Sequence, residues 1–190
     1  MPRRPTNAEM RTREYLTTAE IDQLVKAAGN NDFAHRDATM IMVCYRHGFR
    51  ASELIDLRWD QIDFQQATLA VRRLKNGTPA THPIQGDELR ALRRLQREQT
   101  PVSPFVFTTK RKGPFAEDTF AKMIDRLGKA AGIPFKVHPH MLRHACGFHL
   151  ANKGTDTRLI QGWLGHVDIQ HTVVYTELAP GRFNDVRGMF

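Results

Sequence analysis

Apolar residues recur three and four positions apart along most of the chain, and short polar stretches separate these segments. This spacing predicts helices, because such positions share one face of a helix. Thr17 and Glu20 form a capping box that opens the first helix, and Gly29 and Gly48 follow the first and second helices as stop signals. The predicted helices span 21–28, 35–47, 50–57, 86–99, 116–131, 139–153 and 157–164.

A different pattern marks the segment 68–84, where two runs of β-prone residues flank Asn76–Gly77. Asn-Gly is the dipeptide best suited to a two-residue turn, so the segment predicts a hairpin. The run 104–107 is a candidate short strand. Residues 172–174 are weak helix formers, which leaves the conformation around Tyr175 open. The predicted fold class is mainly α with a small antiparallel β-sheet (α+β).

Composition indicates a globular protein with a polyanionic partner. The 190 residues, 41% hydrophobic and 25% charged, are typical of one domain with a buried core. The formal net charge of +8 favours nucleic acid as the partner, with an acidic membrane surface as the second choice. The longest apolar run is far short of the ~20 residues that a membrane span needs. Cys44 and Cys146 lie in separate apolar stretches and form no disulfide or zinc pattern, which suits a reducing cytoplasm.

Two arginines stand at spacings suited to phosphate recognition. His140 and Arg143 are three residues apart on a predicted helix, so their side chains project from one face. A guanidinium offers a planar pair of donors to a phosphate, and Arg50 begins another predicted helix, where anions are favoured. Glu53 is placed to hold Arg50 in one rotamer. Taken singly, each pair also has a plainer interpretation, as a chance surface pair or an ordinary surface salt bridge.

A lysine and a tyrosine complete a possible reaction centre. Lys75 lies beside the predicted hairpin turn, where most lysines are simply solvated. Two arginines, two histidines and a lysine around one phosphate would stabilise phosphoryl transfer without a metal. Tyr175 is a plausible nucleophile, although free tyrosine has a pKa of about 10 and needs cationic neighbours and a base. The nine histidines contain no HExxH or similar ligand pattern, so we expect no metal and no other cofactor.

His166 and Tyr175 are nine residues apart, which on a continuous helix places them on opposite faces. Both side chains can reach one phosphate only if the helix breaks between them. Gly165 is placed to end one helix, and Asp168 is placed to cap the next. The stretch therefore predicts two groups on either side of a helix break.

The ordered motifs GFRASEL, a lysine on a hairpin, HPHMLRH, LGH and YT resemble the tyrosine recombinases, also called the phage integrase family. The resemblance covers residues 17–178, and the ordered set is far more specific than any single motif. The stretches HGFRASE, RRLKNG and LGHVDIQHTVVYT further resemble the small fimbrial phase-variation invertases, which flip a promoter-bearing DNA segment. The resemblance implies the tyrosine-recombinase catalytic-domain fold and site-specific recombination of DNA through a 3′-phosphotyrosyl intermediate.

The resemblance also implies a role for each matching residue. The two arginines would clamp the phosphate, the lysine would protonate the leaving 5′ oxygen, and the tyrosine would attack. The two histidines would complete the pocket, with His140 as the favoured acid–base partner. Glu53 would support Arg50. The six matching catalytic positions are Arg50, Lys75, His140, Arg143, His166 and Tyr175.

Most members of that family carry a separate helical DNA-clamping domain before this one, whereas about sixteen residues precede the first predicted helix here. We therefore expect a flexible basic arm over 1–16 and a catalytic domain over 17–190, with no separate N-terminal core-binding domain. Basic side chains in the arm and in three other segments would grip DNA through phosphate contacts. The expected DNA-binding residues are Arg3, Arg4, Arg72, Arg73, Arg90, Arg94, Lys110, Arg111 and Lys112.

Partners follow from the implied mechanism. Recombination of two sites needs four protomers, so we expect double-stranded DNA with inverted-repeat sites and a homotetramer on DNA, in the cytoplasm at the nucleoid and not at a membrane. The segment LAPGRFNDVRGMF, residues 178–190, would dock on a neighbouring subunit. Two alternatives stay open: a DNA-binding transcriptional regulator on the same fold, and a type IB topoisomerase-like enzyme that relaxes DNA.

Overall fold

The computed structural model describes residues 14–30, 32–74, 77–99 and 103–179. Within these ranges the chain forms eight α-helices and one small three-stranded antiparallel sheet, which confirms the predicted fold class. The helices are α1 (Thr18–Ala28), α2 (Ala34–His47), α3 (Ala51–Ile55), α4 (Gly86–Glu98), α5 (Glu117–Ala130), α6 (Pro139–Asn152), α7 (Thr157–Leu164) and α8 (Gln170–Glu177). A 3-10 turn (Trp59–Gln61) precedes the strands β1 (Ile62–Asp63), β2 (Thr68–Val71) and β3 (Ala80–Pro83).

The helix boundaries follow local capping chemistry. The Thr17 hydroxyl accepts a hydrogen bond from the backbone N–H of Glu20, and the Glu20 carboxylate accepts one from the backbone N–H of Thr17. These two bonds confirm the predicted capping box. Gly48 ends α2 in the left-handed conformation, with φ 59°, as predicted. At the start of α7, the Asp156 carboxylate accepts from the N–H groups of residues 158 and 159.

The sheet is antiparallel in the order β1-β2-β3, and β2 and β3 pair as the predicted hairpin. The ladder between these two strands ends where Val71 pairs with Ala80. Beyond the ladder, the side chain of Arg73 turns into the protein interior. The predicted two-residue turn at Asn76–Gly77 lies partly outside the described residues, because Asn76 does.

The prediction of a strand over 104–107 is revised. This run forms an isolated bridge between Arg58 and Phe105. Two backbone hydrogen bonds accompany the bridge, from Val106 N–H to the Leu57 carbonyl and from Trp59 N–H to the Pro104 carbonyl. Strand β1 was not predicted, because two residues are too short for an alternating pattern to be recognised.

Two apolar clusters hold the helices together. In the larger one, Met40 and Ile41 of α2 pack with Leu142 of α6, and all three side chains are fully buried. The smaller one joins α6, α7 and α8 through residues that include Ile160 and Leu164. In the described ranges no helix is long and apolar enough to cross a membrane. The site lies where the end of α2 and the start of α3 meet α6, α7 and α8.

Candidate active site

The first part of the site is an ion pair at the start of α3. Arg50 caps the helix, and Glu53 accepts from its backbone N–H at 3.0 Å and from its Nη1 at 2.7 Å. Burial by itself would raise the pKa of Glu53, but donors from Arg50 and the charge of Arg73 outweigh it and lower the pKa. The carboxylate is fully buried, whereas the Arg50 side chain is 25% exposed, so Arg50 remains open to an incoming anion.

Arg73 does not lie on the surface, so its predicted role in DNA binding is corrected. Its side chain is fully buried and donates to Glu53 Oε2 at 2.9 Å and to the carbonyl oxygens of His47 and Gly48. It also donates to the carbonyl of Trp163. The physical reason is that a buried carboxylate with two oxygens takes a second cation, and the chain after β2 supplies it.

Arg143 is the third arginine of the cluster. It projects from α6, is 1% exposed, and donates to the carbonyl oxygens of Gly48 and Leu164. Burial, together with the neighbouring charges of Arg73 and Arg50, lowers its pKa to about 10. Three guanidinium groups around one carboxylate leave two uncompensated positive charges, which makes the place attractive to an anion.

The helix break predicted between His166 and Tyr175 is present. Gly165 ends α7 with φ 66°, and the Asp168 carboxylate accepts from Gln170 N–H at 2.9 Å at the start of α8. His166 then hydrogen bonds through Nδ1 to the buried Thr172 hydroxyl at 2.8 Å. Burial lowers the pKa of His166 to about 3, and the charges of nearby arginines add to the shift.

Tyr175 lies on α8 against α6 and is 2% exposed. Its ring covers Gly147, where an added Cβ would lie 2.7 Å from the ring carbon Cε2, and it meets Phe148 edge-on. Burial raises the pKa of Tyr175 to about 12, and the positive charge of Arg143 opposes this rise. The phenol is therefore neutral in the DNA-free chain.

His144, which the motif comparison left without a role, contacts Tyr175 directly. Its Nδ1 lies 2.8 Å from the tyrosine hydroxyl. His140, the favoured acid–base partner, instead meets the His144 ring edge-on at a centroid distance of 4.4 Å. Burial lowers the pKa of both histidines, that of His144 to about 4. The adjacency of His144 to Arg143 in HPHMLRH was the available signal, but the contact depends on how α8 packs on α6.

Lys75 lies outside the described residues, but the chain on either side of it is held at the site. Leu74 N–H donates to Glu53 Oε1 at 3.1 Å, and the Leu74 carbonyl accepts from Arg50 at 3.5 Å. Gly77 approaches the other end of the site, where a Cβ added to it would lie 2.9 Å from the Gly165 carbonyl oxygen. The connection between β2 and β3 thus spans the site from α3 to the end of α7.

The other residues predicted to bind DNA lie at the surface or outside the described ranges. Arg94, Lys110 and Lys112 line one open cavity of about 480 Å³ between α2, α4 and the loop before α5. Arg94 is paired with Glu98 at 2.6 Å. Three more of the residues predicted to bind DNA are exposed elsewhere on the surface, namely Arg72, Arg90 and Arg111. Arg3 and Arg4 precede the first described residue, as does most of the expected arm.

A buried tyrosine beside a cluster of arginines and histidines, on a helical domain with a small sheet, defines a tyrosine-type site-specific recombinase. The model of the phage integrase family matches residues 14–182. The chain belongs to the phage integrase family.

Relatives and solved structures agree with this assignment. The type 1 fimbriae regulatory protein FimB of Escherichia coli (strain K12) is 42% identical over 180 residues, which are 93% of this chain and 90% of that protein. FimE of the same strain is 39% identical over 179 residues, 92% of this chain and 90% of FimE. The crystal structure of XerA recombinase superposes with a TM-score of 0.77 at 28% identity, covering all of this chain and 66% of that one.

Proposed function

We propose that the chain cleaves and rejoins double-stranded DNA by attack of Tyr175 on a backbone phosphate. The observation that carries the proposal is that Tyr175 and the excess positive charge of Arg50 and Arg143 meet at one site. A phosphodiester anion drawn to this charge would be presented to the phenol. Arginine donors also suit the transition state, where negative charge spreads over the non-bridging oxygens.

The proposed roles combine the positions of the described side chains with the roles that the family resemblance implies. Arg50, which is open to solvent and held by Glu53, clamps one non-bridging oxygen of the phosphate. Arg143, which is buried beside it, stabilises the negative charge of the phosphate. The phenolic oxygen forms a bond to phosphorus while the bond to the 5′ oxygen breaks, which leaves a 3′-phosphotyrosyl link and a 5′-hydroxyl. Lys75 supplies the proton to the 5′ oxygen, and His140 and His166 complete the pocket. Rejoining is the reverse reaction, so no cofactor is consumed.

The biological reaction that we propose is inversion of a DNA segment between two inverted repeats. Its support is the similarity to FimB and FimE, which are named as regulators of type 1 fimbriae. Two sites with two strands each need four copies of Tyr175, so the active species on DNA is a homotetramer in the cytoplasm, at the nucleoid. Residues 17–190 form the catalytic domain, and 1–16 add phosphate contacts. The segment 178–190 docks on a neighbouring subunit. Residues 1–13 and 180–190 lie outside the described ranges.

Nicked DNA tests the chemistry. An inverted-repeat duplex with a nick beside the scissile phosphate releases a short fragment on cleavage and traps the covalent complex, which migrates slowly on a denaturing gel. We expect the adduct with the native chain and its loss in Tyr175→Phe, with DNA binding retained. Tyr45→Phe removes a hydroxyl from a half-buried tyrosine outside the site and serves as the control.

The same experiment separates the alternatives. Absence of any adduct on a proven site, or its persistence in Tyr175→Phe, would contradict the proposal. A transcriptional regulator predicts an unchanged phenotype in the double variant Arg50→Ala, Tyr175→Phe. A topoisomerase-like enzyme predicts relaxation of plasmids that carry no recombination site. Inversion itself is measured by digestion of a plasmid with two inverted sites, where each orientation gives its own fragment lengths.

A further inference from the structure

Tyrosine attack needs a group that accepts the phenolic proton, and the site offers three histidines for the task. His140, His144 and His166 all lie near Tyr175 or near its neighbours. Water is a poor candidate, because Tyr175 is 2% exposed. The geometry of each histidine decides among them.

His166 and His140 are not directed at the phenolic oxygen. The His166 ring lies nearly parallel to the tyrosine ring, with centroids 6.3 Å apart and planes 18° apart, and its Nδ1 is engaged by the Thr172 hydroxyl. The His140 ring meets the neighbouring imidazole of His144 edge-on. Neither has a hydrogen bond to Tyr175 among the described residues.

His144 meets the geometric requirement for proton acceptance. Its Nδ1 lies 2.8 Å from the Tyr175 hydroxyl, which is hydrogen-bond distance. Because burial lowers the pKa of His144 to about 4, the ring is neutral at neutral pH and carries its proton on Nε2 when Nδ1 accepts from the phenol. Both side chains sit on packed helices, and the Tyr175 ring is backed by Gly147, which fixes the distance.

We propose that His144 is the general base of the cleavage step, accepting the Tyr175 proton on Nδ1 as the phenolic oxygen bonds to phosphorus. The inference rests on the proposed function. The phosphorus–O5′ bond breaks in the same step, and O5′ takes its proton from the separate acid, proposed as Lys75. In rejoining, the 5′-hydroxyl attacks, the phenolate leaves, and His144 returns the proton to it.

The central variant is His144→Asn, because the Asn Oδ1 can occupy the place of Nδ1 and accept a hydrogen bond but cannot take a proton. Single-turnover cleavage of nicked DNA should slow by about 100-fold or more. His149→Asn, a matched change on the same helix away from Tyr175, should cleave at the native rate. Melting temperature and DNA affinity of both variants should match those of the native chain. Cleavage by His144→Asn at the native rate would overturn the proposal and indicate that the contact only positions Tyr175. Faster cleavage would also overturn it and indicate that the contact holds Tyr175 in an inactive position.

Two further measurements distinguish proton acceptance from a structural role. Fluorotyrosine at position 175 ionises more readily, so it should restore at least about tenfold of the rate lost in His144→Asn. A substrate with sulfur in place of the bridging 5′ oxygen has a leaving group that needs no acid. It should rescue Lys75→Ala but not His144→Asn. Failure of fluorotyrosine to rescue, or rescue of His144→Asn by the sulfur substrate, would contradict the assignment.

Failure of this inference and failure of the proposed function are distinguishable. If the native chain forms no adduct on a proven site, the proposed function fails, whatever His144 does. If the native chain forms the adduct through Tyr175 and His144→Asn forms it equally fast, only the assignment of the base fails.

Discussion

At the scale of single residues, the absence of a side chain at Gly147 positions Tyr175, the proposed nucleophile. Gly147 follows the turn of α6 that carries Arg143, and the ring of Tyr175 occupies the volume that a side chain at 147 would fill. An added Cβ would lie within 2.8 Å of three ring carbons, closer than side-chain carbons approach one another. The phenolic oxygen is therefore located by close packing as well as by its bond to His144.

Gly147→Ala should accordingly displace the Tyr175 ring and slow cleavage. We expect a loss of about 100-fold in single-turnover cleavage of nicked DNA, since a shift of about 1 Å in a reacting atom can cost that much. Gly162→Ala is the control, because an added Cβ there meets no atom within 4 Å. Native cleavage by Gly147→Ala, with the control unaffected, would show that the ring position seen here does not govern the reaction.

At the scale of elements, the connection between β2 and β3 ties the end of α2 to the end of α7. Arg73 makes this connection, because its guanidinium donates hydrogen bonds to the Glu53 carboxylate of α3 and to carbonyl oxygens at the ends of α2 and α7. Its neighbour Arg72 is exposed. Of these two adjacent arginines, Arg73 is buried in the fold, whereas Arg72 is exposed and is the one predicted to contact DNA.

The variants Arg72→Met and Arg73→Met should separate these two roles. Arg73→Met removes one of the two cations that pair with the buried Glu53 carboxylate, so we expect a loss of about 3–5 kcal/mol in the free energy of unfolding. Arg72→Met should leave stability unchanged and reduce by about 0.9 the slope of log affinity for DNA against log salt concentration. Urea denaturation and salt titration of DNA binding measure the two effects. Equal stability of the two variants would refute the structural role of Arg73.

The same arginine shows where prediction from sequence ends. Helices such as α1 and α7 were predictable because apolar spacing and caps are local properties. The partners of Arg73 lie 20 and 90 residues away, and the bond between His144 and Tyr175 joins residues 31 apart. Motif order selected the candidate site residues, but only the packing of α6, α7 and α8 shows which of them touch.

At the scale of the whole molecule, buried histidines join distant segments. His47 bonds Glu88 of α4 at 2.8 Å and His82 of β3 at 3.0 Å, and the Trp163 ring of α7 stacks on His82 at 3.7 Å. None of these four residues was assigned a role from the sequence. Together they connect α2, β3, α4 and α7 beneath the arginine cluster, so proton uptake by His82 would disturb contacts that join distant parts of the fold.

Acidification should therefore lower the free energy of unfolding by more than protonation of the carboxylates alone would. Burial lowers the pKa of His82 to about 3, and the charges of His47 and Arg73 contribute. Below the ordinary value of about 6.5 the unfolded chain binds a proton at this position that the folded chain excludes. The contribution of His82 to stability is thus complete above about pH 7 and is lost as the pH falls from about 6.5 toward 3.

Urea denaturation between pH 7.5 and 4.5 measures this effect. The free energy of unfolding should fall with acidification, and His82→Asn should fall less steeply, by roughly 1.4 kcal/mol for each pH unit below about 6. Asparagine keeps a polar atom for His47 but does not titrate, so the two curves should converge at low pH even where the variant is less stable at pH 7.5. Parallel curves over the whole range would mean that His82 takes up no proton on unfolding, and that the acid sensitivity arises elsewhere.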